Sequence, residues 1–208
     1  MFGTFNLWAF LLAVLVLNMT PGQDTIYILS RSISQGKRAG YWSVLGIIGG
    51  CSVHILAAAF GLSAILAGSS ELFTVIKWLG ACYLIYLGLR SVYSSRRSSL
   101  SLKEGTEGDW RKILKQGFFT NLFNPKVALF FLAFFPQFID PTQNYGSWSF
   151  LYLGLIFLMS TAIWCLGISF AASGLSEKFR QNSGLEKRLN QLSGICLIGL
   201  GINLIRSK

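Results

Sequence analysis

Long apolar runs separated by short polar segments dominate this chain of 208 residues. A helix needs about 17–25 residues to cross a bilayer. Runs near this length occur at Phe5 to about Ile33, Tyr41 to Leu66, Leu72 to Leu89, Phe118 to Phe138, Phe150 to Phe170 and Leu189 to Ile205. The pattern predicts an all-α membrane protein with six transmembrane helices. The last run is short and rich in glycine, so a five-span alternative stays open.

Two of the predicted spans are interrupted by a proline set among polar residues. Around Pro21 the chain reads Asn-Met-Thr-Pro-Gly-Gln-Asp, and around Pro125 it reads Asn-Leu-Phe-Asn-Pro-Lys. In lipid, a helix can break only where the freed backbone groups are buried or line a cavity. Paired breaks in the two halves of a chain indicate a binding site of a transporter. The alternative is that Pro21 ends the first span and Pro125 kinks the fourth, as single prolines often do.

A polar connection at residues 91–116 divides the chain into two halves of three spans, residues 1–90 and 117–208. Because each half has an odd number of spans, the second half enters the membrane from the opposite side. The two halves are therefore predicted to form inverted repeats, with broken helices at Pro21 and Pro125. Span two carries small residues four apart, as in Gly46 and Gly50, which predicts a central, closely packed helix.

The number and placement of charged residues indicate a membrane protein and predict its orientation. Apolar residues make up 52% and charged residues 12% of the chain, and the formal net charge is +10. The segments 67–71 and 140–149 contain no Lys or Arg, whereas the alternate connections are basic. The positive-inside rule then places both termini in the periplasm. Nucleic acid as a partner is disfavoured, because basic residues in short loops between spans do not form a water-facing groove with stacking aromatics.

Cysteine and histidine residues give no sign of a metal site, a cofactor or an enzyme. The four cysteines all fall within predicted spans and are scattered, without a CxxC or Cys/His spacing. His54 is the single histidine and lies near the middle of span two. An ionisable group in the membrane is a functional candidate by default. A neutral imidazole bonded to a neighbouring helix is the alternative, so His54 is a secondary candidate.

A set of motifs covers nearly the whole chain: Met19 through Asp24, Ser34 through Gly40, Leu45-Gly46, Lys77 through Gly88, Gly117 through Asn121, Asn124-Pro125-Lys126 and Phe134 through Phe138. In combination they resemble the LysE/RhtB family of amino-acid exporters. The chain departs from the family pattern twice. Gln23 stands where a second proline often follows the glycine, and Cys51 stands where span two often has an acidic residue.

The resemblance implies a secondary transporter in the inner membrane of a bacterium. It would export amino acids or their derivatives, such as threonine, homoserine or its lactone, or lysine, and a proton gradient would drive it. A homo-oligomer stays open. The alternatives are a small-ion channel or a membrane scaffold without amino-acid transport. A channel should show rings of like charge or ordered carbonyl loops, whereas the two breaks carry one Asp and one Lys.

An amino acid carries an ammonium and a carboxylate, and a site within lipid must provide a partner for each. Asp24 would receive the ammonium or a coupling proton, while Lys126 and freed backbone N–H groups would hold the carboxylate. The alternatives are an N-cap role for Asp24 and snorkelling of Lys126 toward the interface. The full set of predicted substrate-binding residues is Asn18, Thr20, Pro21, Gly22, Asp24, Asn121, Asn124, Pro125 and Lys126.

Overall fold

The computed structural model describes residues 2–68, 70–93, 109–140 and 145–174, together with positions 191, 194–195, 197–199, 201–202 and 205–206. These parts of the chain are mainly helical. The middle of the predicted connection, residues 94–108, lies outside the described residues, as does much of the sixth predicted span, Leu189 to Ile205. The positions described within that span are helical.

The first predicted span is broken at Pro21, as the sequence predicts. Helix α1 covers Leu7–Met19 and helix α2 begins at Gln23, with extended backbone at Thr20 and Gly22 between them. Helix α2 runs to Ala57 but is interrupted at Gly36, where φ is +79°. Glycine has no Cβ and adopts this left-handed conformation without strain. Gly36 therefore separates the end of the first span from the start of the second.

The second proline also breaks a helix. Helix α5 covers Trp110–Leu122, and the short helix α6 (Pro125–Leu129) follows after Asn124. Proline fits the first turn of a helix because its missing N–H has no partner there in any case. A π-helical turn at Phe130–Phe134 and a 3₁₀ turn at Phe135–Phe138 complete the segment. The predicted span Phe118 to Phe138 thus consists of several short helical segments and not of one continuous helix.

Helix α5 starts at Trp110 rather than at Phe118, so residues 110–116 of the predicted connection are helical. The cause is Asp109, whose carboxylate accepts a hydrogen bond from the backbone N–H of Arg111 at 3.0 Å. Aspartate is a favoured N-cap residue because it satisfies a free N–H in the first helical turn. The mixed charges of this segment therefore mark the start of a helix and not only a linker.

The second part of α2 lies at the centre of the fold and packs along α5 and α7 (Ser147–Gly174). A Cβ on Gly46 would lie 2.9 Å from the backbone nitrogen of Phe118, and one on Gly50 would lie 2.8 Å from Cβ of Asn121. Both distances are shorter than ordinary carbon contacts, so these glycines permit the close approach of α2 and α5. The predicted central role of span two is confirmed at these positions.

The other helices surround this centre. Helix α2 continues through a π-helical turn at Ala58–Leu62 into α3 (Ser63–Gly68), and α4 follows at Ser70–Tyr93. In the described part of the chain, two helical segments are long and apolar enough to cross a membrane, Gln23–Leu62 and Ser147–Ala172. Helix α1 is a shorter apolar helix. The apolar pattern thus supports a membrane protein, while the number of six spans stays a prediction.

At one end of the fold the N-terminal segment pairs with the chain that follows the 3₁₀ turn. The backbone N–H of Phe5 donates to the carbonyl of Phe138 at 3.0 Å, and the N–H of Asp140 donates to the carbonyl of Gly3 at 2.7 Å. We call these two bonds the N-terminal pairing. It joins the start of the first predicted span to the end of the fourth.

Candidate functional site

The two helix breaks lie against each other, and Lys126 makes one of the links between them. Its ammonium donates hydrogen bonds to the carbonyls of Leu17 at 3.0 Å and Thr20 at 2.9 Å. Both carbonyls belong to the C-terminal end of α1, where helix carbonyls have no partner within the helix. Gly22 leaves room for this contact, because a Cβ there would lie 3.0 Å from the Lys126 Nζ. The lysine of the second break therefore caps the helix that ends at the first.

Asp24 makes the reverse link, from the first break to the second. Its Oδ2 accepts hydrogen bonds from the side-chain amides of Asn121 at 2.9 Å and Asn124 at 3.0 Å. Asn124 also caps α6, because its Oδ1 accepts from the backbone N–H of Lys126 at 3.0 Å. Asn121 is fully buried and Asn124 is 2% exposed. The amide orientation is fixed, since each amide must present its nitrogen to the carboxylate.

Both charges lie at helix ends of complementary sign. Asp24 is in the first turn of α2, and the Lys126 ammonium lies at the C-terminal end of α1. Helix N-termini favour anions and C-termini favour cations. The N-cap of α2 is Gly22, so the alternative that Asp24 serves as the cap is wrong. Snorkelling of Lys126 is also wrong, because its ammonium binds protein carbonyls.

Two oxygen atoms at the breaks are buried and unsatisfied. Oδ1 of Asp24 and Oδ1 of Asn121 have no hydrogen-bond partner among the described residues. Buried polar atoms in folded proteins are nearly always paired, and each exception requires an explanation. When Asp24 is ionised both atoms are acceptors, so the partner that would satisfy them must donate hydrogen bonds or be a cation.

The secondary candidate His54 borders the same group of residues. Its Nε2 lies 3.2 Å from the carbonyl oxygen of Asn121, and its ring stacks on Phe131 with centroids 5.8 Å apart. Cys51 is buried one turn earlier on α2, beside Asn121 and within electrostatic range of Asp24. Sequence reasoning missed Cys51 as a neighbour of the breaks, although its spacing of three residues from His54 places both on one helix face.

The other predicted substrate-binding residues do not all place their side chains between the two helix breaks. The Asn18 side chain does not join the second break but pairs with Thr161 on α7, with Nδ2 3.3 Å from the Thr161 Oγ1. The Thr20 hydroxyl donates to the carbonyl of Val16 within its own helix at 2.8 Å. Pro21 and Pro125 contribute by ending or starting helices. The structure therefore brings together Gly22, Asp24, Asn121, Asn124 and Lys126, with the carbonyl of Thr20.

A further set of contacts joins the first predicted span to the start of α5, just before the predicted fourth span. The Tyr27 hydroxyl donates to the carbonyl of Ile113 at 2.7 Å, and the Arg31 guanidinium donates to the side chain of Gln116. The guanidinium also lies over the Tyr27 ring, 5.6 Å from its centroid. Sequence reasoning missed this set, because the register between the two spans is fixed by tertiary packing. Together with the N-terminal pairing, the spans contact each other at three levels.

Comparison with known proteins agrees with the resemblance in the motifs. The family described as LysE type translocator matches residues 15–208. An uncharacterized membrane protein of Vibrio cholerae is 33% identical over 204 residues, covering 98% of each chain. A protein of Bacillus subtilis with the same description is 30% identical over 205 residues, covering 95% of this chain and 97% of the relative.

A relative with a named activity is more distant. The leucine efflux protein of Enterobacter sp. is 28% identical over 203 residues, covering 98% of this chain and 96% of the relative. No solved structure gives a significant match. The family match extends from α1 to the C-terminus and includes both helix breaks with their linked charges. The chain therefore belongs to the LysE type translocator family.

Proposed function

We propose that this protein exports amino acids or amino-acid derivatives across the inner membrane of a bacterium, and that the substrate binds between the two helix breaks. Membership of a translocator family supports export, and the printed name of the Enterobacter relative supports an amino acid as the cargo. The observation that carries the proposal is the pair of opposite charges, Asp24 and Lys126, held where two helices break. Broken helices at membrane depth are common at transporter binding sites.

The two ends of an amino acid have separate partners in this proposal. The substrate ammonium binds Oδ1 of Asp24 and Oδ1 of Asn121, the two buried acceptors that lack donors. The substrate carboxylate binds near Lys126, whose ammonium has three N–H donors and uses two of them on α1. Asn124 donates to the other carboxylate oxygen of Asp24, Oδ2, and so holds the carboxylate in place. His54 is a secondary site residue through its contact with Asn121.

Export then requires the contacts between the first and fourth predicted spans to open at one end at a time. The N-terminal pairing and the Tyr27–Ile113 contact lie on opposite sides of the breaks along α1 and α2. Six spans in two inverted halves, residues 1–90 and 117–208, would make the two openings equivalent in geometry. The basic loops then face the cytoplasm and both termini face the periplasm. Asp24 is the candidate carrier of a coupling proton.

Transport into inverted membrane vesicles tests the proposal. Radiolabelled amino acids should accumulate in vesicles that contain the protein, and collapse of the proton gradient should reduce accumulation. Asp24→Asn keeps the shape of the side chain but removes its charge, so accumulation should fall to the level of empty vesicles. Asp109→Asn is the matched control, because Asp109 is exposed and caps α5 outside the site.

Failure of every amino acid to accumulate would refute the proposed export. Electrogenic ion flux without amino-acid movement would instead favour the small-ion channel. Accumulation that persists unchanged in Asp24→Asn would show that the substrate site lies elsewhere.

A further inference from the structure

The charges around the two breaks limit the charge of the substrate. From their number and pairing we infer that the protein exports amino acids with a single cationic group, that is, with an uncharged side chain, and excludes basic amino acids. The inference rests on the proposed function and specifies the substrate class of that same site.

The acceptors at the breaks suffice for one ammonium. Asp24 supplies the negative charge, and one of its oxygens is already bound by the amides of Asn121 and Asn124. The free oxygens are Oδ1 of Asp24 and Oδ1 of Asn121. These belong to side chains joined by a hydrogen bond of 2.9 Å, so both lie within reach of one small donor group. An ammonium has three donors and would satisfy both oxygens.

The positive charge at the site, the Lys126 ammonium, already makes two hydrogen bonds within the protein. Lys126 donates to two carbonyls of α1, so it stabilises the break and adds a positive charge beside Asp24. A zwitterionic substrate that binds between Asp24 and Lys126 leaves the net charge of the site unchanged. A substrate with a second cation would add a positive charge to a site that already contains a lysine.

Among the described residues, the side chains around the acceptors offer no second anion. Cys51 on α2 and Cys165 on α7 are both buried and lie within electrostatic range of Asp24. His54 and Phe131 stack on each other beside the backbone carbonyl of Asn121. Neutral thiols and aromatic rings suit an apolar substrate side chain. They carry no net negative charge, so they offer an ammonium or a guanidinium at most a cation–π contact and no ion pair.

The other carboxylates of the described residues lie away from the breaks. Glu71 is exposed at the start of α4, Asp109 caps α5, and Asp140 lies beside the N-terminal segment. The second cation of lysine or arginine would therefore be buried without a carboxylate partner in the described part of the chain, which is costly in a low-dielectric site. Leucine and other amino acids with uncharged side chains carry no such cost.

Vesicle transport of a matched pair of substrates tests the inference. Leucine should accumulate in vesicles with the wild-type protein, and lysine should accumulate at least about tenfold less, as expected for one unpaired charge. Cys51→Asp adds a second carboxylate beside the site and should raise the ratio of lysine to leucine transport at least about tenfold. Cys51→Asn has the same size as Cys51→Asp but no charge, so it should raise the ratio of lysine to leucine transport far less than Cys51→Asp does.

Cys165→Asp and Cys165→Asn form a second matched pair on α7, in case the Cys51 variants do not fold. Equal transport of lysine and leucine by the wild type would overturn the inference and leave amino-acid export standing. The inference would also be overturned if the wild type transports little lysine and neither aspartate variant raises the ratio of lysine to leucine transport. A missing negative charge would then not be the reason that lysine is excluded. Absence of transport for leucine, lysine and every other amino acid tested would refute the proposed function itself.

Discussion

The Lys126 ammonium is the contact whose loss should affect the fold most directly. Lys126→Met keeps the length and the apolar stem of the side chain but deletes both hydrogen bonds to the end of α1. Hydrogen bonds to charged groups contribute about 1.5–3 kcal/mol each in proteins. Bonds between membrane helices reach about 1.7 kcal/mol, because the unfolded segments in lipid find other partners. Two bonds near this value give an expected loss of about 3 kcal/mol.

Equilibrium unfolding of the purified protein in mixed micelles, by titration with a denaturing detergent, measures this loss. Lys112→Met is the matched control, since Lys112 is exposed on α5, and it should change the free energy of unfolding by less than about 0.5 kcal/mol. The double variant Asp24→Asn with Lys126→Met removes both charges. The free energy of unfolding of the double variant should fall by less than the sum of the decreases in the two single variants. Each single variant leaves one buried charge without its opposite, whereas the double variant leaves none. Equal stability of Lys126→Met and Lys112→Met would refute the capping role of Lys126.

Three further outcomes are expected. Gly50→Ala places a Cβ 2.8 Å from both Cβ of Asn121 and the carbonyl oxygen of Phe118, so it should cost about 1–3 kcal/mol in the same unfolding titration, whereas Gly61→Ala enters open space and should be tolerated. Pro125→Ala should reduce vesicle transport with normal protein levels in the membrane, and unchanged transport would reduce this proline to an ordinary kink. A reporter that is active only in the periplasm should be active when fused to the C-terminus, and inactivity there would contradict the predicted orientation.

The sequence indicates the helix breaks because their chemistry is local. Proline lacks an N–H and fixes its own φ, so the ends of α1 and α5 follow from Pro21 and Pro125 with their polar neighbours. The close packing of α2 is local in the same sense, since Gly46 and Gly50 lie on one helix face. The start of α5 at Trp110 had a local signal too, the cap residue Asp109, which the surrounding mixed charges obscured.

The partners of the polar residues at the breaks depend on tertiary packing and were not predictable in the same way. A lysine near a helix start gives no sign that it will cap a different helix, as Lys126 does for α1. Asn18 lies only a few residues from Pro21, yet it pairs with Thr161 on α7. The antiparallel register between the first and fourth predicted spans decides these partners. That register depends on which helix faces pack together, which one sequence does not specify.

The two ends of the paired spans differ in how they respond to mutation. The N-terminal pairing uses only backbone atoms of Gly3, Phe5, Phe138 and Asp140, so most substitutions of the exposed Phe5 side chain leave its donors and acceptors intact. Gly3 is the exception, because its φ of +60° favours glycine. At the other end, the contacts depend on the Tyr27 hydroxyl and the Arg31 guanidinium, each of which a single substitution removes. Under the proposed export mechanism, a single substitution can therefore weaken the contacts that close one end, while the backbone pairing makes the other end less sensitive to sequence change.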